Sequence, residues 1–487
     1  VLIHRRPVHV SIWLVRVGRI SLYLLDTNRD DNEERDRWIT GHLYGGNQDT
    51  RLVQELTLGF GGVRALRALG LKPRVFHMNE GHSAFLTLEL LREELASGTP
   101  LEEAKAKVKA QCVFTTHTPV TAGHDVFGVE FMDTHLASYW NELGLTREKL
   151  LAFGRRRPDD HWEPFGMTPL AMRFARSVNG VSRRHGEVCR EMFRDFSPER
   201  EPAAVPIRHV TNGIHVPTWA APVARTLLTR HLGPGWESRL DDPTLPARID
   251  AMPDEELWEM RNQLRRYLVA AVRVRAKESR TRNGEEADFI AAADHLLDPD
   301  VLTIGFARRM ATYKRMSLII HDAERTARLL TNDQRPVQFV LAGKAHPFDN
   351  EAKRTFQEFA RWKRPIEHLG RIVYLENYEV ALARFLVQGC DVWLNLPRRP
   401  LEASGTSGQK VIANGGLNCS ILDGWWCEGF ADGNGWAIGT ELDDGNADAQ
   451  DDADAEALYH VLEDEVVPLF YDRDARGIPT GWLARVR

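Results

Sequence analysis

The chain has 487 residues, with 63 lysines and arginines against 69 aspartates and glutamates, so its formal net charge is −6. This mild balance provides no electrostatic basis for binding nucleic acid or an anionic membrane, and no apolar run approaches the roughly 20 residues of a membrane helix. The length predicts about two to four domains, or two large ones. The five cysteines form no Cys-x-x-Cys pair, and Val10–Leu25 favours strand over a signal peptide. We therefore expect reduced thiols and a cytoplasmic location.

The first half of the chain predicts strands alternating with helices. Residues 8–26 alternate like two short strands around Gly18, and residues 50–69 have the apolar spacing of a helix. Within that helix, Gly59-Phe-Gly-Gly-Val-Arg64 lacks the third glycine of a dinucleotide fingerprint, so we interpret its glycines as sites of close helix packing. Further strands are predicted at Pro73–Met78, Ala110–Thr115, Ser177–Ser182 and Ile207–Asn212.

A charged helical stretch from about Pro253 to His295 precedes a second series of predicted strands. These strands are Val301–Phe306, Val337–Ala342, Arg371–Leu375 and Val392–Leu396. Short β-rich runs alternating with helices are typical of parallel sheets covered by helices. Two such series predict an α/β protein with two doubly wound domains facing a cleft, over residues 1–217 and 218–487, with ligands beyond the carboxyl ends of the strands. The acidic segment Asp443–Asp454 is predicted to be a solvated loop.

Four loops of small and polar residues follow predicted strands, and three of them contain histidines. They are His77–His82, Thr115–His124, Asn212–Trp219 and Ala307–Lys314. Because His77 and His82 are five residues apart and would not share a helical face, we expect no metal site there; each histidine can simply bond within its loop. Glu80 and Glu402 are available carboxylates, but the sequence cannot supply the separation that defines a glycosidase pair.

Three cations, Arg308, Arg309 and Lys314, follow a predicted buried strand. A charge is costly in such a place without a counter-ion. Arginine suits bidentate phosphate binding, and lysine supplies a point charge. Either a bound phosphate or a set of surface cations at a strand end would explain the pattern.

The segment Pro397–Lys410 combines a Gly/Ser/Thr loop with one lysine at a predicted helix start. Such a loop can hold a phosphate on backbone N–H groups while the amine of Lys410 lies beside it. Lysine is unfavourable near a helix N-terminus unless an anion compensates, although a solvated lysine is the simpler alternative. The glycine spacing differs from a Walker A loop, and Val411 follows the lysine where that motif needs Ser or Thr.

The stretch Glu402-Ala-Ser-Gly-Thr-Ser-Gly-Gln-Lys410 resembles the pyridoxal-phosphate (PLP) loop of the α-glucan phosphorylases. Other segments are similar to the short prokaryotic type of that family, namely Leu43–Thr50, Phe76–His82, Pro397–Pro400 and Trp425–Gly429. The resemblance covers essentially the whole chain. It implies reversible phosphorolysis of terminal α-1,4-glucan bonds to α-D-glucose 1-phosphate with retention, on two Rossmann-like domains (the GT-B glycosyltransferase architecture). The substrates it implies are an α-1,4-glucan and inorganic phosphate.

The resemblance also implies roles for individual residues. Lys410 would form a Schiff base with PLP, whose 5′-phosphate exchanges a proton with the substrate phosphate. Substrate phosphate would then protonate the leaving glycosidic oxygen and attack the anomeric carbon. Other cofactor contacts correspond to Thr406, Arg308, Tyr378 and Trp219. Catalytic and substrate contacts correspond to Arg309 and Lys314 for phosphate and to His117, Asn212, Glu402, Ser404, Gly405 and His82 for the sugar.

The sequence departs from the family pattern at one internal position and at both ends. Glu379 follows Tyr378, where longer phosphorylases carry arginine. The family's upstream glycine-rich loop and its closing helix after Trp482 are not found. We therefore expect a fragment, truncated at both ends, with little or no activity, because an uncovered site is open to water.

Two other functions stay open at this point. A nucleotide-sugar glucosyltransferase such as a glycogen synthase has the same two-domain plan but needs no PLP lysine. A non-catalytic glucan-binding remnant would bind oligosaccharides without releasing glucose 1-phosphate. The preferred glucan, effectors and oligomeric state do not follow from the sequence.

Overall fold

The computed structural model describes residues 1–42, 46–197, 200–345, 349–439 and 445–487. The chain divides into two compact units, Val1–Thr211 (unit 1) and Asn212–Arg487 (unit 2). The first residues of the family-like segment Leu43–Thr50 and part of the acidic segment Asp443–Asp454 lie outside the described residues. Within the described ranges, no helix is both long and apolar enough to cross a membrane.

The described residues of unit 1 form one parallel sheet and three antiparallel strand pairs. Its strands are β1 (Leu2–Ile3), β2 (Arg6–Pro7), β3 (Ser11–Val17), β4 (Ile20–Asp26), β5 (Phe76–Asn79), β6 (Cys112–Thr115), β7 (Val126–Phe127), β8 (Phe165–Gly166), β9 (Ser177–Gly180) and β10 (Ile207–His209). Its helices are α1 (Glu34–Arg37), α2 (Gln48–Ala68), α3 (Leu86–Ala96), α4 (Leu101–Gln111), α5 (Val129–Leu143), α6 (Arg147–Gly154), α7 (Met167–Arg173) and α8 (Arg183–Met192). The parallel sheet has the order β10-β9-β6-β5, and the pairs are β1–β2, β3–β4 and β7–β8.

Helix α2 is the longest helix described in unit 1. Its N-cap is Asn47, whose side chain accepts a hydrogen bond from the backbone N–H of Thr50 at 3.1 Å. Gly59 on α2 faces Phe85, and a Cβ added at Gly59 would lie 2.5 Å from the Cβ of Phe85. The predicted close packing is therefore confirmed for Gly59, because only a glycine allows so near an approach. It is wrong for Gly62, where an added Cβ would meet no atom within 4 Å.

Unit 2 is built on one parallel sheet. Its strands are β11 (Leu302–Met310), β12 (Val337–Ala345), β13 (Ile372–Leu375), β14 (Val392–Asn395), β15 (Leu417–Ile421) and β16 (Gly435–Ile438). Its helices are α9 (Val216–Trp219), α10 (Pro222–Leu232), α11 (Leu245–Asp250), α12 (Asp254–Arg282), α13 (Ala287–Ala291), α14 (Ala323–Thr331), α15 (Asn350–Lys363), α16 (Val380–Gly389), α17 (Thr406–Ile412), α18 (Trp426–Gly429), α19 (Ala447–His460), α20 (Val467–Tyr471) and α21 (Thr480–Val486). The sheet order is β13-β12-β11-β14-β15-β16.

This strand order is that of a doubly wound sheet, in which the direction of winding changes between β11 and β14. Both faces of the sheet are covered by apolar side chains. Along β12, Phe339 and Leu341 belong to one hydrophobic cluster, whereas Val340 and Ala342 belong to another. Alternate residues of a strand point to opposite faces, so this alternation explains why the apolar residues of β12 follow one another instead of alternating with polar ones.

The predicted strands and the charged helical stretch are confirmed, with ends shifted by a few residues. Six described strands were not predicted: the two-residue strands β1, β2, β7 and β8, and the longer β15 and β16, which are largely buried. Strand β15 contains Asn418 and Ser420. Because these residues are polar, the sequence did not indicate that this strand is buried on both faces.

The predicted solvated loop over Asp443–Asp454 is wrong where the structure describes it. From Ala447 onward the segment belongs to helix α19, capped by the side chain of Asn446. Asp454 is buried and pairs with Arg315 at 2.7 Å, and Asp451 pairs with the same guanidinium at 2.7 Å. The acidic composition therefore reflects a helix face that neutralises a buried arginine.

Candidate active site

In unit 1, the predicted site residues follow strands β5 and β6. Glu80 lies directly after β5 with a left-handed backbone φ of 71° and is buried. Its carboxylate accepts hydrogen bonds from the N–H groups of His117 at 2.7 Å and Gly81 at 3.0 Å, and from the Thr118 hydroxyl at 3.0 Å. Glu80 therefore holds the His117 loop against the end of β5.

The ring of His117 is half-buried in this loop. Its Nε2 atom is buried and has no hydrogen-bond partner among the described residues. Burial lowers the pKa of His117, so the ring is neutral near pH 7. A neutral imidazole with one free nitrogen can contact an uncharged ligand without a large electrostatic cost.

His82 lies in a charged cluster with Arg51, Glu55 and Asp125. Its Nδ1 atom is 3.3 Å from Asp125 Oδ2, and the Arg51 guanidinium contacts both His82 and Asp125. Burial opposes protonation of His82, but hydrogen bonds to Asp125 and Glu55 outweigh it and raise its pKa to about 9. Burial also raises the pKa of Glu55 to about 7. The imidazole of His82 is therefore a cation near neutral pH.

In unit 2, two of the three predicted cations converge on one carboxylate. Arg308 lies near the end of strand β11, and its Nη2 atom donates to Glu402 Oε2 at 3.0 Å. Lys314 Nζ donates to the same oxygen at 2.7 Å. Burial raises the pKa of Glu402, but the charges of Arg308 and Lys314 outweigh it, so this pKa lies below its usual value. Arg309 is exposed and makes no ion pair with Glu402 among the described residues, although its charge contributes to lowering the pKa of Lys314.

The Glu402 loop is held by a residue that the sequence did not single out. Asp423 accepts a hydrogen bond from the Glu402 N–H at 2.7 Å and another from the Gly424 N–H at 2.8 Å. Within the loop, Ser404 is buried, and its hydroxyl has no hydrogen-bond partner in the described part of the chain. Gly405 then takes a left-handed φ of 87° and caps helix α17.

Lys410 lies one turn inside helix α17 rather than at its first residue. Its Nζ atom is 4.2 Å from the centre of a Trp219 ring, and Trp219 and Tyr378 pack against one hydrophobic cluster. Lys410 has no ion-pair partner among the described residues, and burial lowers its pKa. A lysine with these properties has an increased fraction of nucleophilic, uncharged amine.

Comparison of the chain with known proteins identifies its family. A family model described as "Phosphorylase: Carbohydrate phosphorylase" matches residues 67–460. The chain belongs to the carbohydrate phosphorylase family. The resemblance predicted from the Lys410 loop is therefore confirmed.

Curated relatives of this phosphorylase-family chain match it from end to end. It is 43% identical over 493 residues to a glycogen phosphorylase of Mycobacterium tuberculosis (strain CDC 1551 / Oshkosh), covering 98% of this chain and 56% of that protein. It is 40% identical over 487 residues to a glycogen phosphorylase of Aquifex aeolicus (strain VF5), covering 100% and 69%. A maltodextrin phosphorylase of Thermococcus litoralis is 40% identical over 476 residues, covering 98% and 56%. The chain thus spans little more than half the length of two of these relatives.

Within this phosphorylase-family chain, Asn414 connects Lys410 to Trp219. Its side chain is fully buried, and its Nδ2 atom donates to the Trp219 carbonyl at 3.0 Å and the Lys410 carbonyl at 2.8 Å. Its Oδ1 atom accepts from the Ala221 N–H at 2.7 Å. Gln409 adds a bond from its Nε2 atom to the Asn212 carbonyl at 2.7 Å. No motif in the sequence pointed to Asn414, since an asparagine after a helix is common.

Replacing Asn414 with alanine is expected to destabilise unit 2 by about 3 kcal/mol. The Ala221 N–H and the Lys410 carbonyl would lose these bonds, whereas the Trp219 carbonyl would keep the bond from Gln388 Nε2 at 3.2 Å. Each unsatisfied group costs roughly 1–3 kcal/mol, partly offset by relaxation. Urea unfolding of the purified variant measures this change. The control is Asn283→Ala, since the Asn283 side chain makes only an exposed 3.3 Å bond to Glu376. Equal stability of the two variants would contradict the assigned role of Asn414.

Proposed function

We propose that this chain carries out PLP-dependent, reversible phosphorolysis of terminal α-1,4-glucosidic bonds in glucans, releasing α-D-glucose 1-phosphate with retention. The observation that carries the proposal is the environment of Lys410, a partly buried amine beside Trp219 that has no acidic partner in the part of the chain that the structure describes. The names of the relatives, glycogen and maltodextrin phosphorylases, support the substrate class. The parallel sheets and the strand order of unit 2 support two Rossmann-like domains of GT-B type, which we assign to residues 1–217 and 218–487.

The residues around Lys410 fit a phosphorylated cofactor. Arg308 Nη1 and Ser404 Oγ are buried polar donors with no hydrogen-bond partner in the described residues. Buried donors of this kind are costly unless a ligand satisfies them, and phosphate oxygens accept such bonds well. Lys410 would hold PLP covalently, with Arg308 and Thr406 at its phosphate. Trp219 and Tyr378 would line the pocket.

When bound, the cofactor supplies a phosphate group that exchanges a proton with the substrate phosphate. The chain's own cations make that approach possible, because two neighbouring phosphates repel each other unless fixed positive charge offsets the repulsion. We assign Arg309 and Lys314 to the substrate phosphate. Arg309 is exposed and therefore accessible to an incoming anion.

Glu402 has two tasks in this proposal. In the structure its carboxylate neutralises Arg308 and Lys314, at 3.0 Å and 2.7 Å, which stabilises the cations before any anion binds. On binding, it would accept hydrogen bonds from the sugar, together with Ser404 and Gly405. Asn212 and His82 would provide further sugar contacts, and the neutral ring of His117 would lie against the glucosyl unit.

Covalent labelling distinguishes this proposal from a PLP-independent glucosyltransferase. The purified chain is incubated with PLP, reduced with borohydride and digested, and the labelled peptide is identified by mass spectrometry. We expect the label on Lys410. A label spread over exposed lysines, or none, would reject the cofactor assignment.

Product analysis tests the reaction itself. The chain is incubated with maltodextrin and inorganic phosphate, and glucose 1-phosphate is measured. Phosphate-dependent release of glucose 1-phosphate would support the proposed reaction, and release at a rate usual for the family would contradict the loss of activity expected from the sequence. Oligosaccharide binding without phosphate-dependent release would favour a non-catalytic glucan-binding protein.

Phosphate binding is expected to weaken as the pH rises above about 8. Burial, together with the charge of Arg308, lowers the pKa of Lys314 to about 8, so its ammonium loses the proton in this range. Since phosphate favours the protonated amine, its Kd should increase up to about tenfold per pH unit above that value. Calorimetric titration with inorganic phosphate between pH 6.5 and 9.5 measures the slope.

The matched variant is Lys314→Arg, which keeps its charge over this whole range. It should give a flatter profile than the unmodified chain. The same slope in both proteins would show that another group controls phosphate binding.

A further inference from the structure

Unit 1 brings together three side chains that lie outside the site described above. His135 Nε2 is 2.8 Å from Asp49 Oδ1, and His4 Nε2 is 3.4 Å from the same oxygen. One ligand atom from each residue lies within 4.8 Å of the other two. His135 is buried, whereas His4 and Asp49 are half-exposed, so the group can be reached from solvent.

The hydrogen bonds of His135 restrict its protonation. Its Nδ1 atom is 2.9 Å from the Phe131 carbonyl oxygen, which can only accept, so Nδ1 carries a hydrogen. In a neutral ring, Nε2 then presents its lone pair to the Asp49 carboxylate at 2.8 Å. Two lone pairs face each other at this distance only if a cation lies between them or one group is protonated. An imidazole that donates its Nδ1 hydrogen to a carbonyl is also the usual state of a metal-binding histidine.

The position of His4 is set by the surrounding fold. His4 lies in the turn between β1 and β2 with a left-handed φ of 48°. The hydroxyl of Tyr139 on α5 accepts from the Leu2 N–H at 3.1 Å and donates to the Leu2 carbonyl at 3.0 Å. Tyr139 follows His135 by one helical turn, so α5 holds both this hairpin and His135 in place.

The distances suit a small cation. Ligand atoms bound tetrahedrally at about 2.0–2.1 Å from zinc lie about 3.3 Å from one another. The two measured separations from Asp49 Oδ1, 2.8 Å and 3.4 Å, bracket this value. A simple ion pair between Asp49 and His135 would need no third group, yet His4 also approaches the same oxygen.

A second group in unit 1, Glu55, His82 and Asp125, also brings three ligand atoms within 4.8 Å. That group surrounds the guanidinium of Arg51, which lies 3.0 Å from Asp125 and 3.2 Å from Glu55. Arg51 already supplies the positive charge there. The group of His4, Asp49 and His135 is therefore the better site for a metal ion.

We propose that His4, Asp49 and His135 bind one zinc ion, with water in the fourth position. Two imidazoles and a carboxylate form a common ligand set for this metal. The ion links the N-terminal hairpin to α2 and α5, because each ligand comes from a different element. Its role is structural and independent of the function of unit 2.

Zinc titration of the purified, chelator-treated chain at pH 7.5 tests the proposal. We expect one zinc ion per chain and a visible absorption spectrum typical of four-coordinate or five-coordinate metal when cobalt replaces zinc. His4→Asn and Asp49→Asn should each weaken zinc binding by at least roughly 10–100-fold. Asparagine tolerates the left-handed backbone at position 4, so His4→Asn tests the site even if Asp49→Asn fails to fold.

The matched control is His321→Asn, because His321 Nε2 pairs with Asp452 at 2.9 Å in an exposed two-residue contact. This control should bind zinc as the unmodified chain does. No saturable binding, or equal affinity of the unmodified chain and His4→Asn, would show that the group is an ion pair only. Loss of zinc in His82→Asn but not in His4→Asn would place the metal at the second group and overturn the assignment.

Discussion

Replacement of Lys410 by alanine is expected to remove covalent PLP from the chain and to reduce the proposed phosphorolysis by roughly 10²–10⁴-fold. This range is typical of losing a positioned proton donor, since PLP without its covalent anchor would no longer be held. The amine is suited to the attachment because burial lowers its pKa and no carboxylate pairs with it among the described residues. Absorbance of the PLP-treated protein and glucose 1-phosphate release measure the two effects.

Two further variants separate attachment from charge. Lys410→Arg keeps a positive charge beside Trp219 but cannot form the covalent bond, so it should lose PLP as completely as the alanine variant. Lys277→Ala removes an exposed lysine paired with Asp294 and should retain PLP. Covalent PLP in Lys410→Ala, in an amount equal to that of Lys277→Ala, would contradict the assignment.

Replacement of Asp391 by asparagine is expected to destabilise unit 2 by about 3–5 kcal/mol. Asp391 precedes β14, and its fully buried carboxylate lies 3.2 Å from both Arg261 and Arg265 on α12. It also accepts the Thr303 N–H at 3.0 Å, which joins β14 to β11 at the start of the sheet. Breaking a buried ion pair leaves uncompensated charge, here two guanidinium groups, and this accounts for the magnitude.

The corresponding measurement is the thermal midpoint, which should fall by on the order of 10 °C for a domain of this size. Asp294→Asn is the matched control, because it breaks an exposed ion pair with Lys277, and such pairs contribute about 0–1 kcal/mol. Similar midpoints for the two variants would show that backbone carbonyls alone compensate Arg261. Arg261 does donate to four of them, those of Gln388, Gly389, Cys390 and Asn414.

The predicted elements differ in how well their sequences reveal them. Runs rich in apolar residues, such as Val337–Ala342, were recognised because a strand covered on both faces is mostly apolar. Strand β15 was missed because Asn418 and Ser420 lie within it, and helix α19 was missed because its acidic face binds Arg315 instead of water. In each case a polar residue satisfied by a distant partner looks, in the sequence, like one that requires solvent.

The candidate active site shows the same difference between features set by neighbouring residues and features set by residues distant in the chain. The Gly/Ser/Thr loop and Lys410 are adjacent in sequence, so local pattern was sufficient to identify the family that the comparison confirms. Arg308 and Glu402 are 94 residues apart, and their ion pair became visible only in the folded chain. The roles of Asn414 and Asp423 depend on backbone groups brought near by folding, and no sequence signal distinguishes them from ordinary loop residues.

The sequence by itself determined the alternation of strands and helices, the family and the lysine on which the proposed chemistry depends, because these features arise from neighbouring residues. Only the tertiary structure decided which charges neutralise one another, which side chains hold Trp219 beside Lys410, and that His4, Asp49 and His135 meet. The physical reason is that electrostatic and hydrogen-bond partners are chosen by distance in space. Residues far apart in the chain come within that distance only when the sheets and helices pack.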